Sequence, residues 1–186
     1  MDNGASSYRR FLDGDVNGLA EIVRDYKDGL IFFLAGFVGD IYTAEDLMED
    51  TFVKITTKKP RYTAKASFKT WLYTIARNVA IDYVKRNSKS ITVSIDECRE
   101  LTSDEESLEK AYIREEQKIA VHRALRNLKS EYRQILWLIY FEELSNKEAA
   151  SVMKKSVHNI ETLVYRARRS LKSELEKEGF VYEDLC

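Results

Sequence analysis

Apolar side chains recur three or four residues apart along most of this chain, the spacing that places them on one face of an α-helix. A single proline, Pro60, and seven glycines interrupt the pattern in 186 residues. Helical regions are expected over 7–55, with a new helix opening at Thr43, then from Phe68 and again from about Ala111. The spacing predicts an all-α fold of two small helical domains.

The periodicity breaks over 88–110, where a polar, β-branched stretch is followed by a run of acidic side chains. Such a segment is typical of a flexible linker, so the predicted division is 1–88, an acidic linker at 89–111, and 112–186. The charge is divided into blocks: −4 over 1–60, +6 over 61–95, −6 over 96–116 and +3 over 117–186. Two positive blocks separated by an acidic one indicate two contacts with nucleic acid.

Other features narrow the class of protein. Two cysteines, Cys98 and Cys186, provide neither a disulfide framework nor metal-ligand spacing, and they are interpreted as free thiols, with a redox role as the alternative. No apolar run approaches the roughly 20 residues that span a bilayer, and the N-terminus lacks a signal pattern. A cytoplasmic protein with no cofactor, no metal and no membrane insertion is expected.

Residues 144–168 contain two predicted helices around a short turn. Ser145 can cap the first, with Glu148 three residues later completing a capping box, and Ser156 can cap the second. The second helix is basic, and Val157, Ile160, Val164, Ala167 and Leu171 are expected on its packed face. The pattern is that of a helix-turn-helix, whose second helix enters the DNA major groove. The alternative is a solvated basic helix in a bundle.

Two further segments accompany it: 43–55, with Ala-Glu-Asp-Leu near its start, and 67–86, with Trp-Leu-Tyr-Thr-Ile-Ala-Arg-Asn. In this order and spacing the three segments, spanning roughly 8–176, resemble the RNA polymerase sigma factors of the extracytoplasmic-function (ECF) group of the sigma-70 family. The resemblance implies a subunit without catalytic residues that binds core polymerase, directs it to promoters and promotes DNA melting. It also implies an anti-sigma factor as a partner, and contact with the flap of the second-largest polymerase subunit.

The resemblance assigns residues to three surfaces. The helix at 44–55 is expected to dock on the clamp helices of the largest polymerase subunit, with Glu49 where relatives usually have glutamine; the candidates are Asp46, Leu47, Glu49, Asp50 and Phe52. The alternative is a solvated acidic face.

The block at 61–86 is expected to recognise and melt the −10 element, since aromatic faces hold unstacked bases and cations hold the backbone. Asn78 can read a base edge, whereas Trp71 is expected in the core. The candidates are Arg61, Tyr62, Lys65, Arg77, Asn78, Lys85 and Arg86.

The helix-turn-helix is expected to read the −35 element, with polar side chains on base edges and cations on phosphates. The candidates are Lys155, Ser156, His158, Asn159, Thr162, Arg166 and Arg169. Three departures from relatives mark possible differences: Lys154 replaces the usual turn glycine, and Glu161 and Leu163 replace residues that are often basic or polar.

The acidic linker is expected either to thread the polymerase cleft and RNA exit channel as a mimic of nucleic acid or to be a solvated tether. Two rival functions remain. A helix-turn-helix repressor or activator that binds duplex DNA alone would need a dimerisation or effector element, and no segment is left over for one. An enzyme would need a phosphate loop, a metal cluster or a nucleophile with its base, and none is evident in the sequence.

Overall fold

The computed structural model describes residues 3–87, 121 and 123–177, and within them it contains helices and no strand. The N-terminal domain consists of α1 (Asn3–Leu12), α2 (Val16–Val38), α3 (Ile41–Lys58) and α4 (Phe68–Asn87). The C-terminal domain contains a helical segment at 123–127, followed by α5 (Ser130–Leu136) with a π-helical continuation (Trp137–Phe141), α6 (Asn146–Met153) and α7 (Val157–Lys177). The predicted all-α fold of two helical domains is confirmed, while the acidic linker lies outside the described residues.

Side-chain caps set where two helices of the N-terminal domain begin. Asp15 accepts a 3.0 Å hydrogen bond from the Asn17 amide at the start of α2. Asp40 accepts a 2.7 Å bond from the Thr43 amide at the start of α3, and its hydrogen bonds with Thr43 lower the pKa of the Asp40 carboxyl. The helix expected to open at Thr43 therefore begins at Ile41, because Asp40 satisfies an amide that the first turn leaves unpaired.

The core of the N-terminal domain is built from the predicted apolar stripes. Leu30, Phe33 and Leu34 of α2 are fully buried, as is Leu72 of α4. Trp71 is half-buried and packs against this core, as expected. Each fully buried side chain of this size contributes roughly 1.5–3 kcal/mol to folding, so the stripe holds the four helices together.

The helices of the C-terminal domain pack as predicted except at Val157. Ile160 and Ala167 of α7 are buried, but Val157 is 41% exposed and Leu163 is 9% exposed. The prediction that placed Val157 on the packed face was wrong, and Leu163, for which no face was predicted, is buried. The buried stripe of α7 therefore begins at Ile160, about one turn after Val157, where the apolar pattern predicted its start.

Ser130 does not cap α5 as expected. It is the first helical residue, the cap position is Lys129, and no side chain makes a capping hydrogen bond there. The Ser130 hydroxyl instead donates a 2.7 Å bond to the carbonyl oxygen of Gly36 on α2. This contact joins the two domains, and a tertiary bond has replaced the local one that the sequence suggested.

The two domains pack directly on each other. α5 and the π-helical turn lie along α2, and α6 lies along α4. Lys69 of α4 forms a 3.2 Å ion pair with Glu142, and its ammonium also donates to the Glu142 carbonyl at 3.1 Å. The rings of Phe32 and Trp137 meet at 4.9 Å between centroids. In the described parts of the chain no helix is long and apolar enough to cross a membrane.

Candidate nucleic-acid interface

The loop between α3 and α4 is held by aromatic packing. The Tyr8 hydroxyl donates to the Pro60 carbonyl, and the Tyr62 hydroxyl donates to the Ala66 carbonyl, each at 2.8 Å. The Tyr62 ring contacts Phe68 and Trp71 at 5.6 and 5.4 Å between centroids. The ring of Tyr62 is therefore half-buried and fixes the shape of the loop.

Two cationic candidates, Arg61 and Lys65, project from this loop and are exposed. Ala64, between them, has a φ of 54°, in the left-handed region that non-glycine residues rarely adopt. The loop thus offers two cations on a turn of defined shape. That arrangement suits a displaced single strand, whose phosphates the cations can neutralise.

A cleft of about 510 Å³ opens beside α4 and contains three of the remaining −10 candidates, Arg77, Asn78 and Lys85. The other residues that line it are Lys54, Ile81, Asp82 and Lys154. Four cations and one carboxylate give the cleft a positive potential. Burial lowers the pKa of the Arg77 guanidinium, and the charge of Glu131 opposes that effect.

Arg86, the last −10 candidate, is exposed near the end of α4 and its Nε donates to the Asp82 carbonyl at 3.2 Å. Along α4 the cations follow one another over roughly two and a half turns, beside Asn78. The helix therefore presents a strip of positive charge that contains one side chain able both to donate and to accept hydrogen bonds.

The helix-turn-helix geometry matches the prediction at both caps. The Ser145 hydroxyl accepts from the Glu148 amide at 3.3 Å, and Glu148 Oε2 accepts from the Ser145 amide at 3.0 Å, so the capping box is complete. The Ser156 hydroxyl accepts from the Asn159 amide at 3.2 Å. Between them Lys154 adopts φ 54° and ψ 47°, the left-handed conformation that a glycine would adopt without strain. Lys154, which replaces the usual turn glycine, therefore holds a backbone conformation that is unfavourable for an L-residue.

The exposed face of α7 carries most of the −35 candidates. His158, Asn159, Arg166 and Arg169 are exposed, and Thr162 is half-buried with its hydroxyl bonded to the His158 carbonyl at 3.1 Å. The spacing of these residues places them along one side of the helix. Lys155 is half-buried and forms a 3.0 Å ion pair with Glu131, so its charge is partly satisfied within the domain.

The acidic face of α3 is solvent-accessible. Asp46, Glu49 and Asp50 are all exposed, and Glu49 and Asp50 follow Asp46 by three and four residues, which places them on the same side of the helix. Leu47 and Phe52, which were expected on the same docking surface, are 1% and 8% exposed. These two side chains pack in the core because they belong to the apolar stripe of α3, so the three carboxylates are the accessible part of the predicted docking surface.

The structure adds residues that the sequence did not single out. Lys54 is on α3, yet it borders the same cleft as Asn78, because α3 and α4 pack side by side. Lys69 faces Glu142 of the other domain. Tyr165 on α7 is 68% exposed beside Arg166. Only for Tyr165 was there a sequence signal, since it is an aromatic residue off the apolar stripe of a basic helix.

Comparison with known proteins follows the same division into two domains. The sequence model described as Sigma-70 region 2 matches residues 22–90, and the one described as Sigma-70, region 4 matches residues 118–171. The ECF RNA polymerase sigma factor SigM of Bacillus subtilis is 32% identical over 153 residues, which cover 82% of this chain and 92% of SigM. The sigma factor YlaC of the same organism is 29% identical over 87% of this chain and 94% of its own.

Among solved structures, the sigma factor RpoE of Bartonella quintana, crystallised with the anti-sigma factor NepR, superposes with a TM-score of 0.65. The sequence identity is 25%, and the match covers 84% of this chain and 96% of that one. CnrH, in complex with the cytosolic domain of CnrY, superposes with a TM-score of 0.61 at 22% identity and has the same fold.

Proposed function

Because the chain belongs to the ECF group of the sigma-70 family of RNA polymerase sigma factors, we propose that its two domains bind a promoter at two separate elements while α3 holds the core polymerase. The division proposed is 1–88 for core and −10 binding, 89–111 for the linker, and 112–186 for −35 binding. The observation that carries the assignment is that each domain has its own cationic, polar helix face, on α4 and on α7.

The −10 element is assigned to α4 and the loop before it. Asn78 lies among cations in an open cleft, where its amide can donate to and accept from a base edge. Arg77, Lys85 and Lys54 surround it and suit the strand backbone. Arg61 and Lys65 extend the charge onto the loop. The ring of Tyr62 shapes that loop, and it would stack on a base only if the loop rearranged.

The −35 element is assigned to the first half of α7. His158 and Asn159 lie in the first turn, where a recognition helix meets base edges, while Arg166 and Arg169 follow about two and three turns later and suit phosphates. Lys155 and Ser156 directly precede the helix. Ser156 is occupied as a cap, so its role is to present the Asn159 amide and side chain in a fixed orientation.

Core polymerase is assigned to the exposed acidic side chains of α3. Asp46, Glu49 and Asp50 place three carboxylates within about one turn, which suits a basic partner surface. The buried Leu47 and Phe52 hold this helix against the domain. An anti-sigma factor is proposed as a further partner, in keeping with the complex that RpoE forms with NepR. The chain acts as a cytoplasmic binding subunit rather than as an enzyme.

The proposal is tested by run-off transcription with purified core polymerase on a library of upstream DNA fragments. We expect defined transcripts only when the chain is present. Binding to core without specific initiation on any fragment would contradict the proposal. Tight, specific binding to duplex DNA without polymerase would instead support an autonomous repressor or activator.

A further inference from the structure

An ion pair between Lys155 and Glu131 ties the residues that lead into α7 to helix α5. The Lys155 ammonium lies 3.0 Å from Oε1 of Glu131. Glu131 is in the first turn of α5, where the helix dipole favours a negative charge and so helps to hold the carboxylate in place. Both residues belong to the C-terminal domain, so the pair does not depend on how that domain is arranged relative to the N-terminal one.

The backbone around Lys155 fixes its place at the entrance to the recognition helix. The Lys155 amide donates a 3.0 Å hydrogen bond to the carbonyl oxygen of Ala150 in α6. The next residue, Ser156, caps α7 by accepting from the Asn159 amide at 3.2 Å. The N-terminus of a helix is a place where DNA-binding proteins bind phosphate groups. Lys155 therefore stands where a cation can bind the DNA backbone, but its ammonium is engaged by Glu131.

Lys155 differs in exposure from the cations further along α7. Arg166 and Arg169 are exposed, whereas the Lys155 side chain is only 31% exposed and its ammonium faces a carboxylate. A phosphate group that approached Lys155 would have to draw the ammonium away from Glu131. The charge of Lys155 thus has a competitor for DNA within the domain itself.

We propose that Glu131 restrains the DNA affinity of the helix-turn-helix by competing with the phosphate backbone for Lys155. A carboxylate and a phosphate oxygen both bind an ammonium through its N–H groups and its charge, so binding to one weakens binding to the other. The consequence for DNA rests on the proposed function of α7, whereas the ion pair itself can be measured without DNA.

The size of the effect follows from the strength of the pair. An exposed ion pair favours its bound form by about 1.4-fold to fivefold, so removing the Glu131 carboxylate should strengthen DNA binding by a factor in this range. If the released Lys155 adds one phosphate contact, the plot of log affinity against log salt concentration should become steeper by about 0.9. The gain should be the same for all base sequences, since a phosphate contact carries no sequence information.

The first experiment detects the ion pair in the full-length chain without DNA. Zero-length carbodiimide coupling followed by mass spectrometry should join Lys155 to Glu131, whose charged atoms are 3.0 Å apart. Lys177 and Glu174, 2.6 Å apart on α7, are the positive control. Coupling of the control pair without coupling of Lys155 to Glu131 would overturn the proposal, whatever the chain does on DNA.

The second experiment measures binding of DNA by the holoenzyme over a series of salt concentrations. The probe is the fragment that gives the strongest transcript in the run-off library. At about 50 mM salt, Glu131→Gln should bind it about two- to fivefold more tightly than the wild type, with the steeper salt slope. Glu176→Gln is the matched control, because Glu176 is 55% exposed like Glu131 and is paired with Lys172, about five turns along α7. It should leave the affinity and the slope unchanged.

A double-mutant cycle separates competition for Lys155 from simple repulsion between Glu131 and DNA. In the Lys155→Gln background, Glu131→Gln should no longer give the gain in affinity or the steeper slope. Lys155→Gln alone should make the slope shallower by less than Arg166→Ala does, because Glu131 already engages part of the charge of Lys155. A gain from Glu131→Gln that persisted undiminished without Lys155 would overturn the proposal, as would equal binding by the wild type and Glu131→Gln.

Failure of this inference can be told from failure of the proposed function by the reference variant Arg166→Ala. This variant should make the salt slope shallower by about 0.9, the value for one phosphate contact. An unchanged slope in Arg166→Ala would count against the proposed role of α7 as a whole. A shallower slope in Arg166→Ala with no change in Glu131→Gln would overturn only the role of Glu131.

Discussion

The hydroxyl of Ser67, at the start of α4, donates a 2.9 Å hydrogen bond to the carboxylate of Glu148, 81 residues later in the helix-turn-helix. The same carboxylate closes the capping box of α6 with Ser145. One side chain thus caps a helix of the DNA-binding motif and joins it to the other domain.

Glu148 should make the stability of this region depend on pH. The hydrogen bond from the Ser145 hydroxyl, followed by those from the Ser145 amide, Ser67 and Thr70, lowers the pKa of Glu148 below its ordinary value of 4.5, despite partial burial that opposes the shift. The stabilisation is therefore complete above that value and is lost as the pH falls through the lowered pKa. Amide hydrogen exchange of α6 between pH 6 and 3 should show the loss.

Glu148→Gln is the matched variant, because glutamine preserves both bonds of a capping box without titrating. It should show a shallower loss of protection in α6 below pH 4.5 than the wild type does. Glu45→Gln, at an exposed position on α3, should leave the profile of α6 unchanged. Identical profiles for the wild type and Glu148→Gln would contradict the assignment.

Lys154→Gly should stabilise the helix-turn-helix. A left-handed backbone costs an L-residue roughly 1–2 kcal/mol, and the greater freedom of glycine in the unfolded chain offsets part of the gain, so about 0.5–1 kcal/mol is expected. Hydrogen exchange of α6 and α7 measures the change. Arg168→Gly, at an exposed position inside α7, should instead destabilise by about 1 kcal/mol. Destabilisation by both variants would mean that Lys154 makes contacts that outweigh its backbone strain.

Asn78→Ala should impair initiation at the −10 step and leave core binding intact. The amide is the uncharged hydrogen-bonding side chain in the cationic cleft, so its loss removes a base contact without removing charge. A loss of roughly 1–3 kcal/mol in promoter discrimination is expected for a lost base contact. Run-off transcription on −10 variants measures it, alongside core binding by fluorescence anisotropy. Loss of core binding would remove Asn78 from the base-reading role.

Asp50→Lys should weaken core binding first, in contrast to Asn78→Ala. It reverses a charge on the exposed acidic face of α3, so affinity for core polymerase should fall, most strongly at low salt, where surface charges are least screened. Asp13→Lys makes the same change at an exposed position outside α3. Equal effects from both variants would indicate a response to net charge rather than a docking surface.

Substitutions at Arg166 and Asn159 should distinguish phosphate contacts, which position α7 on the DNA, from base contacts, which read the sequence. Arg166→Ala should weaken binding of −35 DNA by the holoenzyme about equally for all sequences and reduce the salt dependence by about one phosphate contact. Asn159→Ala should weaken binding to the best sequence and relax selectivity, with an unchanged salt slope. If Arg166→Ala weakened binding only to particular −35 sequences, Arg166 would be a base-reading residue and its assignment to phosphate would be wrong.

The elements themselves were predictable because their causes are local. Periodic apolar residues, the Ser145–Glu148 capping box and the Ser156 cap are encoded within a few positions, and the structure has all of them. The predictions failed where contacts with residues distant in sequence determine which side chains are buried or bonded. The Ser130 hydroxyl bonds to Gly36 rather than capping α5, and at the start of α7 Leu163 is buried while Val157 is exposed.

The residues of the candidate site likewise fall into those that local sequence predicts and those that depend on tertiary packing. The exposed cations of α4 and α7 could be read from the sequence, because a charged side chain that lies off an apolar stripe is expected to face solvent. Leu47 and Phe52 are buried, so the motif that predicts the docking surface includes residues that support this surface as well as exposed ones. Lys54 was missed because its place in the cleft depends on α3 packing beside α4.

The sequence by itself determined the helices, the two cationic faces and membership in the sigma-70 family, since these follow from the order and spacing of neighbouring residues. Only the tertiary structure decided how the domains meet. The approach of Glu142 to Gly29, its pairing with Lys69 and the hydrogen bond from Ser130 to Gly36 depend on groups brought together from distant parts of the chain. No local pattern encodes such an approach, because its energy belongs to the packed surfaces and not to either segment alone.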